Sequence, residues 1–535
     1  MRTSAFGAMA SAVLVLIAGA CQDLDVVNLN NPDRERALAE PGDVEALIGS
    51  TWVGWWNRMV NASSLYLVMP TVADEGTATY ANAASLELSS EPRPPFNNNP
   101  TSEAHGLSRN AWESFNEILS NANEGLFAIE NGLVLETQDP GGDELSDNTE
   151  RGRAFAMFAR GLALGYLALF FDQAYITQPE TDYEDLPPMS PYMEVRDSAV
   201  AAMESAIAVM EANAFTLPYT WLYVDGVTNE DLARIAHSFI ARFLVYTARS
   251  PAQREGVDWN EVLRHIQAGI TEDFAPVQDG DALYGYLWYY GTNNGSFSQH
   301  ADYKLIGPAD VSGNYQAWLG KDLRDRQPFL ITTPDRRITG VDENGAPDPT
   351  ADGKYFEYRE DIPFTESRGI YHFSHYQWNR ALSDWHPTEP WYSGPAHIMT
   401  VDEMNLLAAE AYYRLGMLQK AADLINLTRV GNGELPPVTT DGVPEAPDCV
   451  PRPQTDPAGS CGSLLDALHY ERMIELAYMD GARTWMDRRG FGSLPEGTFL
   501  QLPVPGRELI SLGYELYTFG GVGGTCAAGN ATTCE

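Results

Sequence analysis

Tyr470-Glu471-Arg472-Met473-Ile474-Glu475-Leu476-Ala477-Tyr478 leads through Asp480-Gly481-Ala482-Arg483 to Trp485-Met486-Asp487-Arg488-Arg489-Gly490. Leu502-Pro503-Val504-Pro505 follows, then Glu508-Leu509. Glu471, Arg472, Glu475, Arg483, Asp487, Arg488 and Arg489 set opposite charges at helical and near-helical spacing. Such a set predicts partly buried ion pairs that fix a helix against its neighbours. Catalysis by Glu475 with Asp487, or ligand binding by the arginine-rich end, is the weaker reading of the same residues.

Upstream, Thr400-Val401-Asp402-Glu403 predicts a helix start: Thr400 as N-cap and Glu403 three residues on, a capping box. Met404, Leu407, Ala408, Ala411 and Leu415 form one apolar stripe. Gly416 ends this helix, and a second carries Leu418, Ala421, Ala422, Ile425 and Leu427. Small residues at a crossing, a nearby Tyr412 and a glycine turn are the grammar of a tetratricopeptide unit. Leu162 to Phe171, with Gly165 and Tyr166, reads as another such helix, buried rather than spanning a bilayer. Further helices are expected over 44–58, 106–132, 149–171, 193–212, 229–248, 260–270 and 463–479. From about 274 to 391 the chain is loop-rich and aromatic, with strand-like pieces at Tyr355 to Tyr358 and Ile370 to Phe373.

The C-terminal stretch resembles the SusD/RagB family of outer-membrane nutrient-binding lipoproteins. Members commonly show E-R-x-x-E-L-A-F-E-G-x-R, then D-L-R-R, then L-P-I-P with a nearby glutamate. Met404 to Arg429, including Asn426 and Arg429, is similar to the family's L-L-x-A-E-A-Y-x-R-L-G helix pair. Asp23-Leu24-Asp25 with Asn31-Pro32-Asp33 resembles its opening. The sequence departs at Asp480 for the usual glutamate, Ala482 for a common histidine, Phe491 for a tryptophan, and Leu512-Gly513-Tyr514, where an Asn-Pro is usual. The resemblance implies a mainly α fold in which tetratricopeptide-like helix pairs support a loop-rich ligand face, one domain over 21–535. It also implies a non-enzymatic surface protein that caps a TonB-dependent barrel of the SusC type. The ligand would be an oligosaccharide, or a peptide as in the RagB branch.

A sugar-binding face needs flat rings for the apolar face of a pyranose and polar groups for its hydroxyls. Two regions offer them, and in the family these regions often line the ligand face. One holds Trp288, Tyr289, Tyr290 and Asn293, followed by Tyr315 and Trp318; the other, from Tyr80 to His105, holds Tyr80, Asn82, Arg93, Phe96, Asn97 and Asn98. Trp52, Trp55 and Trp56 lie on a helical pattern and are expected to pack.

The N-terminus sets the compartment. Met1-Arg2 and the apolar run Ala5 to Ala20 form a signal peptide over 1–20. Ala18-Gly19-Ala20-Cys21 resembles a lipobox, with its bulky apolar residue one place early at Ile17. Lipidation at Cys21 would anchor the protein stably, since each buried CH₂ contributes about 0.8 kcal/mol. Gln22-Asp23 lacks a retention aspartate next to the cysteine, which favours the outer membrane, facing outward. Four other cysteines, Cys449, Cys461, Cys526 and Cys534, allow three connectivities, the simplest being within each close pair.

With 74 acidic against 34 basic residues, the net charge of -40 excludes nucleic acid as a partner. There is no H-E-x-x-H, P-loop or G-x-S-x-G motif. Gly520 to Gly524 is glycine-rich but lies near the C-terminus. His372, His375, His386 and His397 read as surface or packing residues. No cofactor or metal is expected. A structural calcium at Asp342-Glu343-Asn344 with Asp348 and Asp352 is the weaker reading, because that spacing fits no calcium-loop rule. Two competing function classes stay open: a lipid-anchored glycoside hydrolase, and a helical scaffold without a small ligand.

Overall fold

The computed structural model describes residues 34, 38–60, 65–77, 84–283, 300–360, 373–380, 393–453, 459–479 and 481–534. The expected signal peptide and Cys21 lie outside them. Helices dominate, and the fold is mainly α. The main ones, in order, are α1 (Pro41–Gly49), α2 (Thr51–Val60), α3 (Leu65–Val72), α4 (Glu103–Glu130), α5 (Thr149–Phe170) and α6 (Tyr192–Ala212). Then come α7 (Asn229–Tyr246), α8 (Pro251–Glu255), α9 (Trp259–Gln267), α10 (Val401–Arg414), α11 (Leu418–Gly431), α12 (Leu464–Glu475) and α13 (Arg483–Phe491).

Small residues explain how the helices stack. On α5, a Cβ at Gly165 would lie 2.2 Å from the Phe243 ring of α7, and one at Gly161 would lie 2.6 Å from Met203 of α6. These two glycines, one turn apart, let three helices cross at close range. α5 is also long and apolar enough to cross a bilayer, yet most of it is buried against α4, α6 and α7. In the same way α10 packs on α11, and both pack on α12.

Local chemistry moved several element ends. The expected helix over 44–58 divides at Ser50, where the Ser50 and Thr51 hydroxyls bond back to the Leu47 and Ile48 carbonyls. Such back-bonding bends a helix. Thr400 caps α10 by accepting from the Glu403 amide at 3.1 Å, but the Glu403 carboxylate turns inward to Arg242 and Tyr246. The capping box expected there is therefore half formed. Reciprocal boxes close instead at Thr228 with Asp231 and Ser463 with Asp466. α12 stops at Glu475, short of 479, because Tyr478 turns into the left-handed region (φ 57°). There its amide and hydroxyl reach the Glu75 side chain and carbonyl.

The insert carries more strand than its sequence suggests. β1 (Gly76–Thr77), β2 (His300–Asp302), β5 (Phe356–Tyr358) and β6 (Phe373–Trp378) make one antiparallel sheet in the order β1-β2-β6-β5. β3 (Thr339–Val341) and β4 (Pro347–Asp352) form a hairpin. The acidic loop proposed for calcium is that hairpin's turn. Asp342 accepts from the Asn344 and Ala346 amides and so holds the turn, while Asp348 accepts from the Thr350 amide within β4. Cys449 is joined to Cys461 and Cys526 to Cys534.

The opening charge pattern is buried outright rather than partly. Arg337 lies among Asp335, Glu471 and Glu475 at 2.6 to 3.2 Å. Arg254 bonds Glu410 and Asp487, and Arg472 bonds Asp487 at 2.7 Å. Burial alone would raise the Asp487 carboxyl, but Arg472 and Arg254 outweigh it and hold it below the usual range. Among the described residues, Arg489 pairs with no acid. It donates to the Leu169, Tyr246 and Leu500 carbonyls, beside Arg249, which donates to Ala168 and Phe171. Together they cap the C-terminal end of α5, where unpaired carbonyls gather negative charge.

Candidate functional site

A cavity of about 690 Å³ opens where the Glu91–Arg93 loop, the chain from Lys304 to Arg326, α12 and the turn after α13 converge. That volume suits a small ligand. Leu319, Leu323, Met473 and Leu494 supply apolar wall; Arg93, Lys304, Arg326 and Arg488 line it together with Glu91, Asp466 and Glu496.

Three of these cations are already engaged. Arg93 bonds Asp74 at 2.5 Å and reaches Thr498 and the Val72 carbonyl. The Lys304 ammonium sits between Asp74 at 2.8 Å and Glu91 at 2.5 Å. Arg488 donates to the Ala73 and Ser493 carbonyls, and burial lowers it from its ordinary value. Arg326 differs. Its guanidinium lies 4.2 Å over the Trp318 ring and donates Nη2 to the Leu319 carbonyl. Its Nε and Nη1 have no partner among the described residues. Both atoms are buried beside the indole, so these spare donors reach an oxygen-rich ligand only when the side chain shifts.

His469 and Ser493 also line the cavity, with Ser493 Oγ 3.4 Å from His469 Nε2. The imidazole stacks on Phe491, and burial pushes it down to about 4. A nucleophile needs a base within about 2.6–3.2 Å, oriented by a third group. The contact is longer than that, and among the described residues no hydrogen bond to a carboxylate orients the ring. Sequence reading missed this cavity because its walls come from six separated stretches, and the motif residues among them, Tyr470, Met473 and Arg488, read as structural.

Solved structures share this arrangement of helices and sheet. A SusD superfamily protein of Bacteroides vulgatus is 14% identical, covers 85% of this chain and 89% of its own, and gives a TM-score of 0.52. A SusD superfamily protein of Bacteroides fragilis is 15% identical over 88% of this chain and 97% of its own, TM-score 0.52. A SusD-like protein of Bacteroides fragilis is 13% identical over 86% and 88%, TM-score 0.50. The fold is SusD-like. No family model and no curated protein matches the sequence.

On this SusD-like frame the expected ligand residues separate. Tyr80, Asn82, Trp288, Tyr289, Tyr290 and Asn293 lie outside the described residues. Tyr315 and Trp318 are corrected to core: they are 0% and 2% exposed, packed with each other, Trp318 also against Tyr303, and closed off from any ligand. Arg93 lines the cavity, but with its donors committed as described above. Phe96 is buried against Phe499, and Asn98 bolts the loop to the C-terminal region, so these two hold structure. Asn97 is exposed. Trp52, Trp55 and Trp56 are core. His375 packs by Tyr358 and His397 bonds Asp273; His372 and His386 lie outside the described residues. One pairing was invisible in the sequence: Thr77 of β1 faces His300 of β2. Thr77 precedes the segment with Tyr80 and Asn82, and His300 follows the one with Trp288 to Asn293, so the sheet pairs the described neighbours of these two segments.

Proposed function

We propose that this chain is a cell-surface lipoprotein, held in the outer membrane through Cys21, that captures an oligosaccharide and passes it unchanged to a TonB-dependent transporter of the SusC type. The observation that carries the reading is the Thr77–His300 pairing on a SusD-like frame. Thr77 leads into the segment that holds Tyr80 and Asn82, and His300 follows the segment that holds Trp288 to Asn293. Trp288 and Tyr290 are the proposed stacking platforms, with Tyr80, Asn82, Tyr289 and Asn293 around them. Arg326 adds a donor suited to a carboxylate, which favours acidic sugars, and supports a peptide as the second reading.

Titration calorimetry against neutral oligosaccharides, uronic-acid oligosaccharides and peptides tests the reading. Replacing Trp288 and Tyr290 together by alanine is expected to abolish binding while the circular dichroism spectrum is unchanged. Unaltered affinity in the double variant overturns the assignment of these rings. Release of reducing ends on prolonged incubation would show a hydrolase instead. Co-purification with a large barrel protein checks the partner.

A further inference from the structure

Away from the cavity, α6, α7 and α9 pack around a compact polar cluster. Glu204 comes from α6, His237 from α7, and Glu261, Arg264 and His265 from α9. Glu261 and His265 are one turn apart, so both face Glu204. Their ligand atoms lie within 4.8 Å of one another, with His265 Nε2 3.2 Å from Glu261 Oε1 and 3.9 Å from Glu204 Oε1.

One nitrogen, Nη2 of Arg264, fills the middle. It lies 2.9 Å from Glu204 Oε1, 2.5 Å from Glu261 Oε1 and 2.7 Å from His265 Nε2. Nη2 has two hydrogens for these three neighbours, and His265 Nε2 also lies 3.2 Å from Glu261 Oε1. On the other side of the ring, His265 Nδ1 lies 2.8 Å from His237 Nδ1, where one imidazole donates and the other accepts. His265 is thus fully buried, with Nε2 facing both carboxylates and Nδ1 held by a second imidazole. Holding the far nitrogen is what outer partners do for a metal-bound histidine.

We propose that Glu204, Glu261 and His265 form a zinc(II) site, and that the Arg264 guanidinium holds the metal's position until zinc displaces it. Zinc bonds nitrogen and carboxylate oxygen at about 2.0–2.2 Å, which sets tetrahedral donors roughly 3.3–3.5 Å apart. The observed donors need only small side-chain shifts to reach that spacing. Two carboxylates balance the ion's charge, and a neutral imidazole binds without losing a proton. Water would take the fourth position. Arg264 is 51% exposed, so its head can swing into solvent. Calcium is disfavoured because it takes six to eight oxygens, and this site presents a nitrogen.

Zinc affinity of the whole protein, measured by competition with a chromophoric chelator, tests the site. Arg264→Ala is expected to tighten binding of one zinc by at least about tenfold, because the competing cation is gone. Adding Glu204→Gln to that variant should weaken it by at least about tenfold, and adding His237→Phe should weaken it comparably. Glu204 and Arg264 are both about half exposed, and unchanged thermal melting would show that each variant folds. Unchanged zinc affinity in Arg264→Ala overturns the proposal. So does a Glu204→Gln effect below about twofold, or displacement of zinc by equimolar calcium.

Discussion

At the scale of single residues, buried charge decides most. Arg337 is fully buried and shared by three fully buried carboxylates. Its value is raised well above the ordinary one: its own burial opposes this, and Asp335 and Glu471 outweigh it. Arg337→Leu leaves Asp335, Glu471 and Glu475 facing one another, and should cost about 3–5 kcal/mol, read as a lower urea midpoint. Two histidines set an acid limit. Burial pushes His300 down to about 3, with Arg359 adding to it, and pushes His469 down to about 4. Both folded values are depressed below 6.5. Their contribution is therefore full above pH 6.5 and is lost as pH falls toward pH 3–4. Each should cost up to about 1.4 kcal/mol per pH unit in that window. His469→Phe should flatten the fall, checked by thermal melts at several pH values. Asp172 opposes them: burial raises it to about 6, so its contribution is full at low pH and is lost as pH rises through about 6.

At the scale of elements, shape outweighs propensity. A glycine inside an exposed helix costs about 1 kcal/mol against alanine. Gly165 reverses that sign, because the added carbon would meet Phe243 at 2.2 Å. Gly165→Ala should destabilise by about 1–3 kcal/mol in chemical denaturation, despite the better helix former. Helix starts behave more simply. Thr228→Ala removes a complete capping box from α7 and should cost about 1 kcal/mol by the same measurement. The start of this helix was expected at Asn229 from its pattern. Its cap is local, a hydroxyl and an amide three residues apart, though the one box read from sequence, at Thr400, is only half formed. Ends were less legible. Tyr478 stops α12 because Glu75, some four hundred residues away, holds its amide, and no neighbouring residue announces that.

At the scale of the whole molecule, distant contacts join its two ends. Asn98 donates to the Val504 and Tyr517 carbonyls and accepts from the Gly506 amide at 2.8 Å. Asn98→Ala would strand those backbone groups and should cost about 2–3 kcal/mol. It should also expose the last thirty or so residues to limited proteolysis before global unfolding. The apolar stripes of α10 and α11, the glycines of α5 and the charged run of α12 and α13 predicted a helical stand correctly. Period and residue size act over a turn or two of one helix, so sequence alone determined most of the long helices and the SusD-like family resemblance, but not the sheet. Which rings are buried, which arginines keep a spare donor, and which histidine faces which carboxylate depend on segments tens to hundreds of residues apart. Only the tertiary structure decided these. Tyr315 and Trp318 look like any loop aromatics until the core closes over them. Glu204 meets His265 only because α6 and α9 share a neighbour in α7, for burial and distance belong to the packed chain and to no stretch of it.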